Sequence, residues 1–211
     1  MTSFPFAKTP SAKRHAPATL RNREAILQVL REVLPQGKTL EIASGTGEHA
    51  VHFAGHLDGV VWQPTDPNED AVGSIAAYRE EAALPRLLEP WRLDVHDSDW
   101  GSAAEGLDAI VCINMIHIAP WTASLALFEG AARHLPQSGP LVLYGPYRFH
   151  GAFTAPSNEA FDARLRGENG AWGVRDVDDI DPAASAHGFI REQTVEMPAN
   201  NHILVYRRRS G

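Results

Sequence analysis

Apolar residues recur at helical spacing near the start of the chain and then in short runs. Between residues 18 and 34 they lie three or four positions apart, which predicts an amphipathic helix that ends before Pro35 and Gly37. The later runs predict strands at 39–43, 60–65, 88–93, 107–114 and 141–144. Helical stretches are predicted between them at 48–55, 68–83 and 121–135. Such alternation is typical of a parallel sheet that is covered on both faces.

The last two apolar runs follow a different pattern. Residues 190–197 and 202–208 are separated only by 198–201, which leaves no room for a helix. They therefore predict an antiparallel hairpin at one sheet edge. The resulting fold class is α/β, with a Rossmann-like, doubly wound, seven-stranded sheet that is parallel except for this C-terminal hairpin. Residues 147–175 form a long polar-aromatic insertion, with one short helix near 157–165, and we expect it to act as a lid over a substrate.

The chain length, charge and cysteine content limit the kinds of protein that remain. The 211 residues suit one domain, predicted at 18–211, after a proline-containing flexible arm at 1–17. The net charge of −7 argues against a nucleic-acid partner, and Cys112 is the sole cysteine, so no internal disulfide can form. No apolar run approaches the roughly 18 residues of a membrane span, and no secretory signal is visible. We therefore expect a cytoplasmic monomer or homodimer.

A glycine loop between the first strand and the next helix is the sharpest motif. Gly45 and Gly47 permit a tight turn and a close approach of the backbone to a ligand. The pattern Gly45-x-Gly47-x-x-Ala50 also matches the dinucleotide fingerprint, with Asp66 at a suitable distance for a ribose hydroxyl. Glu41, however, is poorly placed for a pyrophosphate and well placed for a cationic amino-acid group. A tight turn without any ligand remains a third reading.

Two further observations bear on the choice of ligand. Asp94 follows the third predicted strand, so it can reach a ligand at the same carboxyl edge of the sheet. No tyrosine is followed four residues later by a lysine, and no second domain is present, which argues against a nicotinamide-dependent oxidoreductase. That reading stays as an alternative.

These residues resemble the class I S-adenosylmethionine-dependent methyltransferases, through Glu41-x-x-x-Gly45-x-Gly47, Asp66, Asp94 and the strand that ends at His117. The chain more narrowly resembles the methyltransferase-like 26 family. The motifs that carry this narrower resemblance are Arg21-Asn22-Arg23, Cys112-Ile-Asn-Met, Tyr144-Gly-Pro-Tyr147, Phe161-Asp162, Trp172-Gly173, Arg175-Asp176 and Met197-Pro-Ala-Asn-Asn201. The resemblance implies S-adenosyl-L-methionine as cofactor and methyl transfer as the activity.

The resemblance also implies roles for individual residues. The glycine loop would lie against the methionine part of the cofactor, Asp66 would accept the ribose hydroxyls, and Asp94 would accept the adenine amino group. Glu41 would orient the loop or face the methionine ammonium, or it is a buried acid satisfied by loop amides. The cofactor-binding residues implied in this way are Glu41, Ser44, Gly45, Gly47, Asp66, Asp94, Val95, Asn114 and Asn22.

The catalytic and substrate residues come from the loops above the sheet. Asn114 and His117 end the fourth strand, and His117 has the pKa range of a general base or is a packed histidine. Tyr147 is a third catalytic candidate, and with Arg148 and Arg175 it could recognise a carboxylate or phosphate. These loop residues either bind substrate or join the lid to the sheet. The predicted substrate residues are Tyr144, Tyr147, Asn158, Trp172, Arg175, Asn200 and Asn201.

We predict no metal site, because no carboxylate or cysteine joins His49, His52 and His56 at metal-ligand spacing. The predicted function is methyl transfer to an oxygen, nitrogen or sulfur atom of a small molecule. The alternatives are a protein methyltransferase and a non-catalytic, cofactor-binding regulatory module.

Overall fold

A computed structural model describes residues 13–209, so residues 1–12 of the predicted arm and residues 210–211 lie outside the described residues. The first helix begins at Pro17, which the prediction had placed in the arm. The helices are α1 (Pro17–Val33), α2 (Glu48–His56), α3 (Glu69–Ala82), α4 (Trp121–His134), α5 (Pro156–Glu168) and α6 (Val177–Ala186). The strands are β1 (Gly37–Ile42), β2 (Val60–Asp66), β3 (Trp91–Arg92), β4 (Leu107–Ile113), β5 (Pro140–Gly145), β6 (Tyr147–Phe149), β7 (Ala152–Phe153), β8 (Arg175–Asp176), β9 (Phe189–Met197) and β10 (Asn201–Arg208).

Seven of these strands form one sheet, in the order β3-β2-β1-β4-β5-β10-β9. The first five pair in parallel, whereas β10 pairs antiparallel with both β5 and β9. The predicted seven-stranded sheet with an antiparallel hairpin at one edge is therefore confirmed. Because the order reverses between β1 and β4, the carboxyl ends of the parallel strands there flank the crevice in which such sheets bind ligands.

The third strand is shorter than the prediction of 88–93. Within 88–93, only Trp91 and Arg92 pair with β2. Leu87, before the predicted strand, forms an isolated bridge with Trp62 near the start of β2. Pro90 stands between these two pairings and has no N–H to donate to a ladder. The edge of the sheet is therefore interrupted at this proline.

Two apolar clusters lie on opposite faces of the sheet. One joins the sheet to α4 and α6 through residues such as Phe128 and Ile180, and the other joins it to α1 and α2 through residues such as Leu30 and Phe53. Successive β5 residues alternate between the two clusters, which is why the strands are apolar throughout. Each such buried large side chain stabilises the fold by about 1.5 to 3 kcal/mol.

The segment after β5 is more structured than predicted. The expected helix near 157–165 is α5, and β6, β7 and β8 form a small second sheet beside it. The sequence analysis missed α6, which contains Pro182 and three aspartates in ten residues. Tertiary packing stabilises this helix, because Val177, Ile180 and Ala184 lie three and four residues apart and are buried against the sheet. None of the helices in residues 13–209 has the length and apolarity that crossing a membrane requires.

Candidate functional site

The glycine loop leads from β1 into α2 and is tightly turned. Ala43, Gly45 and Gly47 all have positive φ angles, of 55°, 61° and 92°. A Cβ atom on Gly47 would lie 2.8 Å from the Cα atom of Ile75 on α3, whereas a Cβ atom on Gly45 would meet nothing within 4 Å. Gly47 is therefore required for close packing of the loop against α3, and the space above Gly45 is open to a ligand.

Asp66 ends β2 and holds the glycine loop. Its Oδ2 atom accepts a hydrogen bond from the backbone N–H of Gly45 at 2.9 Å, and its Oδ1 atom accepts one from the N–H of Asn68 at 2.9 Å. Burial raises the pKa of this carboxyl above its usual value. Each oxygen retains a second lone pair, so the side chain can still accept a hydroxyl donor from a ligand.

Glu41 lies on β1, directly below the loop, and is only 1% exposed. Its Oε2 atom accepts a hydrogen bond from the indole N–H of Trp62 at 3.0 Å. Burial raises the pKa of Glu41 to about 7. The carboxyl group is therefore partly protonated near neutral pH, and a positively charged ligand nearby would favour its ionised form.

Asp94 follows β3 at the same edge of the sheet. Its Oδ1 atom accepts a hydrogen bond from the backbone N–H of His96 at 3.0 Å and lies 2.7 Å from the Nδ1 atom of the same histidine. The backbone hydrogen bond lowers the pKa of Asp94, and its side chain is half exposed. Val95 beside it is buried. Asp94 thus offers an ionised acceptor to solvent or to a ligand.

The chain before α1 passes across the first turns of α2 and α3. The backbone N–H of Ala16 donates to Glu48 Oε2 at 2.8 Å, and that of Arg14 donates to Ser74 Oγ at 2.9 Å. Ser74 in turn donates to the carbonyl oxygen of Thr46 in the glycine loop at 2.8 Å. These contacts attach the beginning of α1 to the glycine loop.

Asn22 of α1 is buried between α2 and β5. Its Oδ1 atom lies 2.9 Å from His49 Nε2. Burial lowers the pKa of His49 to about 4, so this histidine is neutral at physiological pH. Asn22 is therefore held against α2 by a neutral histidine.

A cavity of about 640 Å³ lies beyond the carboxyl ends of β4 and β5. It brings together Asn22, Asn114, Tyr144, Asn158, Trp172, Asn200 and Asn201 from the predicted set. It also contains residues that the sequence analysis did not assign to the site, notably Ile118, Phe161 and Arg164. The spacing of Asn158, Phe161 and Leu165 along α5 was the available signal, because residues three and four positions apart share one helix face.

Asn114 occupies the position between this cavity and the glycine-loop edge. It directly follows β4, and its φ of 63° is in the left-handed region. Its backbone N–H donates to the carbonyl oxygen of Tyr144 at 2.8 Å. This hydrogen bond holds the chain in its unusual conformation, which asparagine tolerates better than most residues.

His117 and Tyr147 do not line the cavity. Both are 0% exposed, and their rings meet edge to face with centroids 5.1 Å apart. Neither ring nitrogen of His117 nor the hydroxyl of Tyr147 has a hydrogen-bond partner among residues 13–209. Burial lowers the pKa of His117 to about 3. His117 is therefore a neutral packed residue in this structure, without contact to a ligand in the cavity.

Arg175 is also outside the cavity, and its Nε and Nη2 atoms hydrogen-bond three backbone carbonyls. Nε donates to the carbonyl oxygen of Ile116 at 2.9 Å, and Nη2 donates to those of Ala119 at 2.6 Å and Ala171 at 2.9 Å. The guanidinium also lies 5.7 Å from the ring centroid of Trp121. Arg175 therefore joins the insertion to the loop after β4.

The turn between β9 and β10 closes one side of the cavity. Ala199 and Asn200 both have a φ of 58°, so two consecutive residues adopt the left-handed conformation. Asn158 Nδ2 donates to the carbonyl oxygen of Asn200 at 2.8 Å, and Asn200 Nδ2 donates to Ser157 Oγ at 3.2 Å. Asn201 Nδ2 donates to carbonyl oxygens of the same turn. These bonds attach the hairpin to α5.

Two of the three histidines of α2, His49 and His56, have a partner for a ring nitrogen. His49 bonds Asn22, and His56 Nδ1 lies 2.7 Å from the carbonyl oxygen of His52. Across the described part of the chain, no three histidine, cysteine or acidic side chains come together as a metal site would require.

Comparison with solved structures places this fold among methyltransferases. The chain superposes on the mitomycin 7-O-methyltransferase MmcR with a TM-score of 0.77 at 13% identity, covering 90% of this chain and 54% of that one. NcsB1, an O-methyltransferase from neocarzinostatin biosynthesis in complex with S-adenosylmethionine and 2-hydroxy-5-methyl naphthoic acid, gives 0.75 at 11% identity, with coverages of 90% and 54%. A putative sarcosine dimethylglycine methyltransferase from Galdieria sulphuraria gives 0.71 at 14% identity, with coverages of 91% and 87%.

The chain spans about half the length of MmcR and NcsB1. These likenesses show that it has the class I methyltransferase fold, and the narrower resemblance to the methyltransferase-like 26 family stays a prediction. A family described as "Protein of unknown function (DUF938)" matches residues 13–208, which is almost the whole sequence, and the chain belongs to that family.

Proposed function

We propose that this protein is an S-adenosylmethionine-dependent methyltransferase that acts on a small-molecule acceptor. The observation that carries the proposal is the set of three carboxylates at the carboxyl ends of β1, β2 and β3, beside a glycine loop with open space above Gly45. The cavity beyond Asn114 supplies a separate place for the acceptor. The class I fold, shared with methyltransferases that are named for small molecules, supports the same reading.

The residues present fit the cofactor. Asp66 accepts two backbone N–H groups and has lone pairs left for the ribose hydroxyls. Asp94 is exposed and ionised, which suits the amino group of adenine. Glu41 places negative charge under the loop that would hold the methionine part. When bound, the cofactor supplies a methyl group already activated on a positively charged sulfur.

The contribution of this chain to the reaction is positioning. Asn114 is held by Tyr144 between the two halves of the site, so its conformation sets the distance between them. The hydrogen bonds among Asn158, Asn200 and Ser157 keep the outer wall of the cavity closed against the hairpin. Holding two reactants in line in this way is worth about 7 to 11 kcal/mol of the barrier in favourable cases.

Isothermal titration of S-adenosylhomocysteine tests the cofactor site. Asp66→Ala should weaken binding at least tenfold, because it removes a ligand acceptor and also releases the N–H of Gly45. Asp58→Ala is the matched control, since Asp58 is fully exposed in the turn after α2, at the opposite end of that helix from the glycine loop, and should leave binding unchanged. A dissociation constant that Asp66→Ala does not change would reject the ribose role. Preferential binding of NAD by the wild type would reject the proposed function.

A further inference from the structure

The charges around the acceptor cavity are distributed unevenly. Its described lining contains two charged side chains, Arg164 and Glu168, whose side chains are 67% and 55% exposed and lie 3.9 Å apart. The rest of the lining is amide, hydroxyl, aromatic and aliphatic. The predicted anion-binding residues Arg148 and Arg175 line a different depression of about 500 Å³, together with Arg166. A carboxylate or phosphate group on the acceptor would therefore find no buried cation in the cavity.

Among residues 13–209, the lining of the cavity also contains no group suited to take a proton from the acceptor. The titratable residues in its described lining are Tyr144, Arg164 and Glu168. Burial raises the pKa of Tyr144, so the phenol stays protonated at neutral pH. Glu168 is exposed and paired with Arg164. His117 is fully buried against Gly145, where an added Cβ atom would lie 2.3 Å from its Nε2 atom, and it is not part of the cavity lining.

An acceptor in this cavity must therefore reach its reactive, deprotonated form without a base from the cavity lining. At about pH 7.5, ordinary pKa values leave roughly a tenth of a thiol ionised, against about 0.3% of a phenol and about 0.1% of an alkyl amine in its free-base form. A thiolate is also intrinsically more nucleophilic than an alkoxide or a phenol. Of thiols, phenols and alkyl amines, a thiol is therefore the acceptor that reacts most readily without a base on the protein.

We infer that the methyl acceptor is an electrically neutral, largely apolar thiol, an inference that rests on the proposed function. The thiol loses its proton to solvent, and the electron pair of the thiolate forms the new sulfur–methyl bond. The bond between the methyl group and the cofactor sulfur breaks, and its electron pair stays on that sulfur. The products are a neutral thioether and S-adenosylhomocysteine. The cavity's amides and aromatic rings orient the acceptor, and no side chain changes its protonation state.

A matched series of acceptors of nearly equal size tests binding without turnover. Benzyl mercaptan, its para-carboxylate derivative, para-cresol and benzylamine are titrated into the protein saturated with S-adenosylhomocysteine. We expect benzyl mercaptan to bind at least tenfold more tightly than its carboxylate derivative. Ile118→Lys should remove most of that difference, because Ile118 lines the cavity and is 47% exposed, so the lysine adds a cation there without disturbing the core.

Leu20→Lys is the matched control for this variant. Leu20 is a 52% exposed residue of α1 that is not part of the cavity lining, so the lysine there should leave the selectivity unchanged. Equal binding of the neutral and carboxylate thiols by the wild type would overturn the inference. The inference would also be overturned if Leu20→Lys increased the affinity for the carboxylate derivative as much as Ile118→Lys does.

The pH dependence of methylation identifies the source of the nucleophile. Below the pKa of the acceptor thiol, kcat/KM should rise about tenfold per pH unit, and the midpoint should move down when benzyl mercaptan is replaced by the more acidic thiophenol. Glu41 also titrates near pH 7, but its contribution is common to both acceptors and cancels in the comparison. A midpoint that does not move would indicate a base on the protein and overturn the inference.

The outcomes separate this inference from the proposed function. If S-adenosylhomocysteine does not bind, both fail. If it binds, but para-cresol or benzylamine is methylated faster than benzyl mercaptan, or no thiol is methylated, only the acceptor inference fails.

Discussion

Replacing Glu41 with glutamine should make the free energy of unfolding less dependent on pH. Burial raises the pKa of this acid from 4.5 to about 7 in the folded protein. The native state therefore holds the proton more tightly than the unfolded chain does. Its stability is complete below about pH 4.5 and falls as the pH rises, until the folded group has ionised above about pH 7.

The size of the effect follows from the shift. One pKa unit corresponds to about 1.4 kcal/mol, so the ionised carboxylate costs the folded state about 3 kcal/mol, of which 2 to 3 kcal/mol appear between about pH 5 and pH 8. Glutamine keeps an oxygen that can accept the Trp62 N–H and cannot ionise. Any cost of burying its amide is the same at both pH values, so the comparison removes it.

Urea unfolding of wild type and Glu41→Gln at these two pH values measures the effect. The stability of the variant relative to wild type should increase by 2 to 3 kcal/mol from the lower to the higher pH, as the pKa shift requires. Glu32→Gln is the control, since Glu32 is an exposed acid of α1 and should show no such change. A difference between Glu41→Gln and wild type that stays constant with pH would refute the reasoning.

Two further substitutions test the packing around the cavity. Gly145→Ala places a Cβ atom 2.3 Å from His117 Nε2. This overpacking should lower the free energy of unfolding, measured by urea titration, by about 1 to 3 kcal/mol. An unchanged unfolding midpoint would mean that the loop after β4 can move aside. Arg175→Ala removes three hydrogen bonds to backbone carbonyls and should lower the free energy of unfolding by about 2 to 4 kcal/mol. The control Arg164→Ala, at an exposed position, should lower it by less than about 0.5 kcal/mol. Equal losses of stability would contradict the conclusion that Arg175 joins the insertion to the loop after β4.

The order of strands and helices could be predicted because each element buries an apolar face with its own period. The run at 107–114 and the helical spacing at 18–34 predict β4 and α1 without any knowledge of the sheet. The prediction failed at Pro90, where a local apolar run cannot maintain a ladder without its N–H group. It also missed α6, whose proline and aspartates oppose a helix until Val177 and Ile180 are packed against the sheet.

The residues at strand ends were predictable for a related reason. Glu41, Asp66 and Asp94 lie at or just beyond the carboxyl ends of neighbouring parallel strands, and parallel strands bring these ends to one edge of the sheet. No comparable rule predicts from the sequence where side chains in the connecting loops lie. Tyr147 begins β6 two residues after β5, and His117 lies four residues after β4. Both are fully buried and do not line the cavity, because their rings pack against each other in the folded chain.

The sequence by itself thus determined the parallel sheet, the antiparallel hairpin and the acidic edge beside the glycine loop, because periodicity and chain order are sufficient to specify these features. Only the tertiary structure decided which loop residues meet. It separated Arg148 and Arg175 from the cavity, buried the candidate base His117, and closed the site with Asn158 against the turn at Asn200. These outcomes depend on contacts between residues far apart in the chain, which no local pattern encodes.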